Sequence, residues 1–315
     1  MINVYFTFEP REDLRASIIE EFPQVHFDFT YGLKGELLAK ADVLVTYGED
    51  LKANHLDNAP KLKWIFVASA GVEKMPADKI VERGIYVSNV RGIHKKPMTE
   101  SILAHILAYK RALPFIYEKQ AQKQWDKKAK LSELNGSTAL IIGPGAIGAE
   151  IGRILQAFDV KTIGCNRSGR AIPEMDETYK IDELLEQLPK ADIVISMLPS
   201  TPETKHLLKD VHFMAMKSSA MFMNFGRGNV VEEKVLVKAL KDGEIDHAVL
   251  DVYEVEPLPA SSELWNLSNV TLSPHFSSHS SRYVERSLEI FKPSLSMWLE
   301  GKTTLPNEID LNRGY

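Results

Sequence analysis

The sequence predicts an α/β protein with parallel sheets, divided into two domains. Three observations predict it. Short β-branched or aromatic runs alternate with longer amphipathic stretches almost from end to end, the pattern of strands joined by crossover helices. The runs fall into two series with a long helical stretch between them. The 315 residues, 44% apolar and 26% charged, are more than one hydrophobic core usually organises and can fill two.

In the first series, Ile2 to Phe6, Val43 to Val45, Trp64 to Val67 and Ile85 to Val87 read as strands, with helices around Leu14 to Glu21 and Leu33 to Lys40. The second series runs through Thr138 to Ile142, Val160 to Gly164, Ile193 to Met197, Ala220 to Met223, His247 to Leu250 and Val270 to Leu272. Between them, Met98 to about Gln124 reads as one helix. It opens near Pro97 and Thr99, carries Ile102, Leu103, Ile106 and Leu107 at helical spacing, and is expected to kink at Pro114. No solenoid-length repeat or low-complexity tract interrupts the pattern.

Composition excludes several classes. A net charge of −5 gives no general attraction to phosphate backbones or anionic lipid, so neither nucleic acid nor a membrane surface is expected as a partner. The one dense basic stretch, Lys119 to Lys130, is interrupted by Asp126 and reads as a solvated face or linker. The single cysteine, Cys165, cannot form an internal disulfide, and four thiolates for a structural zinc site do not exist. With strand-like alternation from the first residues, no leader, no long apolar run and no lipidation signal, a soluble, cytoplasmic protein is expected.

The strongest local feature is the turn Gly143-Pro144-Gly145-Ala146-Ile147-Gly148, which leaves an apolar strand and opens a helix. Gly143 permits the tight turn, Gly145 lets backbone approach a pyrophosphate, and Gly148 allows close packing of helix on strand. The helix N-terminus supplies N–H groups and partial positive charge. A methyltransferase loop or an ordinary glycine-rich turn has similar spacing; the strand-to-helix context favours a dinucleotide. About 20 residues on, where an NAD site places an acid for the ribose 2′-OH, the chain has Asn166, Arg167 and Ser168, followed by Gly169 and Arg170. These groups can donate to a 2′-phosphate that an acid would repel, which favours NADP over NAD, the alternative being a polar surface loop.

Three polar segments follow later strands, where open parallel sheets carry their ligands: Asn224-Phe225-Gly226-Arg227-Gly228, Asp251 to Leu258, and Ser273-Pro274-His275-Phe276. With these, the chain resembles the D-isomer-specific 2-hydroxyacid dehydrogenase family over essentially its whole length. The motifs occur in the family's order: the turn Gly143 to Gly148, Leu198-Pro199 with Thr201-Pro202-Glu203-Thr204, Asn-x-x-Arg-Gly at Asn224 to Gly228, Asp-x-x-x-x-Glu-Pro at Asp251 to Pro257, and Ser-Pro-His at Ser273 to His275. Upstream, Ala68-Ser69-Ala70-Gly71-Val72 resembles the family's substrate-carboxylate loop.

The resemblance implies two Rossmann-like, doubly wound domains with the active site in the cleft between them. A substrate domain would span 1–99 and 288–315, a dinucleotide domain 100–287, and a final helix would start near Leu288. It implies reversible reduction of a 2-oxoacid, such as glyoxylate, hydroxypyruvate or a larger analogue, to the D-2-hydroxyacid. His275 would be the general acid and base, the side chain whose ordinary pKa is closest to working pH. Glu256 would orient its imidazole, and Arg227 would hold the carboxylate with backbone N–H groups of Ala70, Gly71 and Val72. Gly143, Gly145, Ala146, Ile147, Gly148, Asn166, Arg167, Ser168, Leu198, Pro199, Thr204, Phe225 and Asp251 would contact the cofactor, Asp251 at the nicotinamide amide. No metal is needed. A homodimer through the helical connection and its extension to Trp125 is implied as well.

Departures from the family pattern are Asn166 in place of the ribose-binding Asp, Asp159 where a helix-ending glycine is common, and Ser277 and Ser278 in place of smaller residues. Tyr47, Met98, Trp125 and Tyr283 are candidates to line the pocket or to be simple core. Two other functions share the motifs: a formate dehydrogenase, against which Glu256 stands in place of a Gln partner for the His, and a nucleotide-sensing corepressor, which can retain the same Arg, Glu and His.

Overall fold

The structure, a computed structural model, describes residues 1–69, 71–72, 74–302 and 304–311. The chain divides into two compact units, residues 1–93 with 280–315 and residues 94–279.

The first unit is built from β1 (Ile2–Phe6), α1 (Glu12–Glu21), β2 (Val25–Phe29), α2 (Gly35–Leu38), β3 (Val43–Thr46), α3 (Ala53–Asp57), β4 (Trp64–Val67), α4 (Ala77–Glu82) and β5 (Tyr86–Asn89). Its strands form one parallel sheet in the order β2-β1-β3-β4-β5. The chain's last helix belongs to this unit. Its residues Leu288, Phe291 and Leu295 enter the same core as Phe6, Trp64 and Phe66, with the Phe291 ring 4.9 Å from that of Phe66 and 5.5 Å from that of Phe6. The indole N–H of Trp64 is satisfied inside this core by the Ser88 hydroxyl at 3.0 Å.

The second unit contains α5 (Lys95–Lys110), α6 (Leu113–Ala121), β6 (Thr138–Ile142), α7 (Ala146–Gln156), β7 (Lys161–Asn166), β8 (Glu177–Lys180), α8 (Leu184–Gln187), β9 (Ile193–Ser196), α9 (Asp210–Ala215), β10 (Met221–Asn224), α10 (Glu233–Asp242), β11 (His247–Leu250) and β12 (Val270–Leu272). The chain then returns to the first unit with α11 (Tyr283–Leu299). Its parallel sheet has the order β12-β11-β10-β9-β6-β7-β8. The central strands β9 (IVIS) and β10 (MFMN) are buried at every position, as continuous apolar runs must be when helices cover both faces. The order reverses between β6 and β9, and ligands of such sheets gather outside the carboxyl ends at that switch point.

Several elements differ from the sequence expectation. Strands β2 and β8 were not anticipated: β2 (VHFDF) carries His26 and Asp28 between its apolar residues, and β8 (ETYK) is a polar edge strand with no buried residue. The stretch expected as one kinked helix is two helices. Ala112 takes the left-handed conformation (φ 51°), which ends α5, and Pro114 sits in the first turn of α6, where its missing N–H costs nothing. The last helix begins at Tyr283 and not near Leu288. The units divide at 93/94 and 279/280, so that α5 and α11 each lie whole within one unit, where the boundaries expected were 99/100 and 287/288. Among the described residues no helix is long and apolar enough to cross a membrane.

Candidate active site

Arg227, Asp251 and His275 follow three adjacent parallel strands, β10, β11 and β12. Strand pairing therefore brings together residues far apart in sequence at one end of one sheet. Asp251 is almost fully buried, and donors from the loop after β12 converge on its carboxylate. The Ser273 hydroxyl donates to it at 2.6 Å, the Phe276 N–H at 2.8 Å and the Ser277 N–H at 3.2 Å, and the Ser277 hydroxyl donates as well. The hydroxyl of Tyr253 ties the carbonyls of Leu250 (3.0 Å) and Ser273 (2.8 Å), joining the two loops at their roots.

This clamp holds His275 in the left-handed region at φ 54°, a backbone strain that persists only where surroundings over-determine it. The imidazole Nδ1 lies 2.8 Å from Glu256 Oε2, and Glu256 Oε1 accepts the Tyr253 N–H at 3.0 Å. A carboxylate at Nδ1 assigns the proton there and leaves Nε2 as the working nitrogen, half exposed at the sheet edge. The neighbouring acid Glu254 instead pairs with His206 at 2.9 Å, so the geometry selects Glu256 as the partner of His275.

Arg227 stands exposed on a tightly placed loop. A Cβ on Gly226 would run into the backbone of Leu198, so the loop after β10 can approach the loop after β9 only with glycine there. Among the described residues the guanidinium donates to the Gly226 carbonyl at 2.9 Å and to no other acceptor, which leaves most of its fork for an anion.

At the switch point, Gly143 adopts φ 81° and its N–H donates to the Cys165 carbonyl at 2.9 Å. A Cβ on Gly148 would press on Ile141 at 3.1 Å, which is the close helix-to-strand packing expected. Helix α7 has no side-chain cap, so its first N–H groups, at Ala146, Ile147 and Gly148, lack an intrahelical partner. A Cβ on Gly145 would meet only the Gly143 carbonyl oxygen, at 4.0 Å. An open approach to uncapped N–H groups fits a pyrophosphate.

Two family profiles match the chain. "D-isomer specific 2-hydroxyacid dehydrogenase, catalytic domain" matches residues 8–130, and "D-isomer specific 2-hydroxyacid dehydrogenase, NAD binding domain" matches residues 103–277. The chain belongs to this family. Relatives include the glyoxylate reductase of Thermofilum pendens, 35% identical over 84% of this chain and 79% of that protein. The glyoxylate/hydroxypyruvate reductase B of an Enterobacter species is 32% identical over 79% of each. A crystal structure of a D-isomer specific 2-hydroxyacid dehydrogenase family protein from Aeromonas salmonicida is 31% identical, covers 98% of this chain and 99% of its own, and superposes with a TM-score of 0.84. The chain is thus an NAD(P)-dependent oxidoreductase acting between 2-oxoacids and D-2-hydroxyacids. These relatives favour neither the formate dehydrogenase nor the corepressor alternative.

Not every residue expected at this dehydrogenase's cofactor site presents its side chain. Phe225 is buried in the core with its N–H spent on the Ser196 carbonyl (3.1 Å), and Leu198 is buried beside Gly143. Pro199 is exposed, and its carbonyl accepts the Thr204 hydroxyl at 2.6 Å. Asn166 is used by its own loop: Oδ1 accepts the N–H groups of Ser168 (3.0 Å) and Arg170 (3.2 Å), while Nδ2 donates to the Arg170 carbonyl (2.8 Å). Arg167, Ser168 and Arg170 remain exposed around it. Cys165 is buried, and burial pushes its thiol up to about 12, away from the thiolate form that redox chemistry uses. Ala70 lies outside the described residues. The sequence reading missed the clamp around Asp251; the serines at 273 and 277 were its only signal.

Proposed function

We propose that this dehydrogenase is a reductase of small 2-oxoacids, glyoxylate and hydroxypyruvate among them, that prefers NADPH to NADH. The observation that carries the reading is the His275 and Glu256 pair at 2.8 Å, joining the loops after β12 and β11, with Arg227 on the loop after the neighbouring β10. Arg227 would take the substrate carboxylate as a charged fork, with the Gly71 and Val72 N–H groups and Ala70 from the upstream loop. A nicotinamide cofactor, when bound, would supply hydride for C2 of the oxoacid. Protonated His275 donates from Nε2 to the carbonyl oxygen as negative charge develops there, and Glu256 steadies the imidazolium before transfer. In the oxidative direction neutral Nε2 accepts the hydroxyl proton.

The turn Gly143 to Gly148 would hold the pyrophosphate, with Pro199 and Thr204 flanking it and Leu198 and Phe225 backing it. Asp251 orders the loop of His275, and the nicotinamide amide would meet that ordered loop. For the 2′-phosphate, Asn166 shapes a loop without an acid, and Arg167, Ser168 and Arg170 supply donors. Residues 1–93 with 280–315 would be the substrate domain and 94–279 the dinucleotide domain. The buried lone thiol suits a cytoplasmic, reducing setting.

The test is steady-state kinetics on a panel of 2-oxoacids with each reduced cofactor. Turnover of glyoxylate or hydroxypyruvate, with a lower KM for NADPH, is expected. No turnover with any acid overturns the reading, and a lower KM for NADH overturns the cofactor preference.

A further inference from the structure

The loop offered to the substrate carboxylate is held from an unexpected direction. Ala68 extends β4, its N–H donating to the Thr46 carbonyl at 2.7 Å, and its carbonyl accepts the hydroxyl of Tyr283 at 2.9 Å. Tyr283 is the first residue of α11, 215 positions away. The Ser69 hydroxyl lies 3.1 Å from the Tyr47 carbonyl and 2.8 Å from the Gly71 carbonyl. The ring of Tyr283 is 6.4 Å from that of Tyr47, which packs on Phe8 at 4.7 Å.

Peptide planarity turns these bonds into a direction. In a trans peptide the carbonyl of one residue and the N–H of the next point opposite ways. With the Ala68 carbonyl fixed toward Tyr283, the Ser69 N–H points away from it. With the Gly71 carbonyl fixed toward the Ser69 hydroxyl, the Val72 N–H points away from that hydroxyl. Among the described residues, the N–H groups of Ser69, Gly71 and Val72 donate to no protein acceptor. The Ser69 and Val72 N–H groups are therefore oriented donors left for a ligand.

We infer that Tyr283 and Ser69 are positioning residues for substrate: together they latch the carboxylate loop so that its N–H groups are aimed before the 2-oxoacid arrives. The inference rests on the proposed role of that loop. It separates the latch from the chemistry, because neither residue belongs to the pair that moves the proton. The Tyr283 hydroxyl is a durable donor, since burial, and then the neighbouring Tyr47, push its pKa up to about 12.

The test compares Tyr283→Phe and Ser69→Ala with the wild type in three measurements: KM and kcat for a turned-over 2-oxoacid, calorimetric affinity for oxamate with reduced cofactor bound, and NADPH affinity of the free enzyme. Each variant removes one hydrogen bond and keeps the packing. KM and the oxamate Kd should rise together by about three- to tenfold, with kcat within about twofold and NADPH affinity unchanged. Unchanged KM and oxamate affinity in both variants overturn the latch, as does an NADPH affinity that weakens as much as KM. Should Tyr283→Phe fail to fold, Ser69→Ala decides by the same criteria. A wild type that reduces no 2-oxoacid overturns the functional reading itself, whereas an active wild type with indifferent variants overturns the latch alone.

Discussion

At the scale of single residues, His275 shows how a site is held. A side chain with a Cβ at φ 54° costs of order 1–3 kcal/mol. Asp251 offsets this with its converging donors, each stronger than a neutral hydrogen bond because the acceptor is charged. Removing the imidazole should therefore test chemistry and not architecture. His275→Ala is expected to lower kcat by about 10²- to 10⁴-fold while the NADPH dissociation constant, followed by fluorescence titration, stays within about twofold. A parallel loss of NADPH binding would make the residue structural. Arg227, Glu256 and His275 were legible as candidates because each lies in a motif that resembles the family's and is of a residue type that suits the proposed reaction. The burden on Asp251 was not, since nothing local in Asp-Val-Tyr announces that Ser273, Phe276 and Ser277 will all point at one carboxylate.

At the scale of elements, the contact of α5 with the sheet carries a pH dependence. His247, in β11, is partly buried against Tyr109 of α5, with its Nε2 2.9 Å from the Thr271 hydroxyl. Burial, and then His105, lowers its pKa to about 4. His105 is also pushed down, by its own burial, against the pull of Asp251. Above about pH 6.5 both folded and unfolded chains carry these imidazoles neutral, so the stability is level there. Below that the unfolded chain gains protons that the folded chain refuses. Stability should fall by up to about 1.4 kcal/mol per pH unit per histidine, and for His247 the loss levels off near pH 4. Urea melts of wild type and His247→Gln at pH 7 and pH 5 check this: the wild type should lose about 2 kcal/mol more than the variant over that interval. Equal losses would place the acid sensitivity elsewhere. Elements with full apolar runs, β3, β4, β6, β9, β10 and β11, were legible from pattern alone. The break between α5 and α6 was not, because Ala112 takes the left-handed conformation, for which alanine has no propensity.

At the scale of the whole molecule, α6 buries no residue, and Ile116 and Tyr117 on it are exposed. The segment after it continues outward, with Trp125 93% and Leu131 53% exposed. A run of apolar side chains left in water is the usual mark of an interface. We propose that a second copy of the chain covers it, as the family resemblance also implies. Sedimentation equilibrium should give twice the 35.5 kDa chain mass, and Ile116→Glu with Trp125→Glu should return it to the monomer value. A wild-type monomer at micromolar concentration would sink the dimer.

The sequence by itself determined the class of fold, the two series of strands and the dinucleotide turn, and it named His275, Glu256 and Arg227 as candidates for the acid, its partner and the anion grip. The fold follows from side-chain periodicity and the turn from its glycine spacing, and the candidates are what the family resemblance implies. Only the tertiary structure decided that Asn166 serves its own loop, that Asp251 is a clamp, and that Tyr283 reaches back to Ala68. Each depends on contacts across tens or hundreds of residues, set by strand order and helix packing, and no local pattern encodes where a distant donor will point.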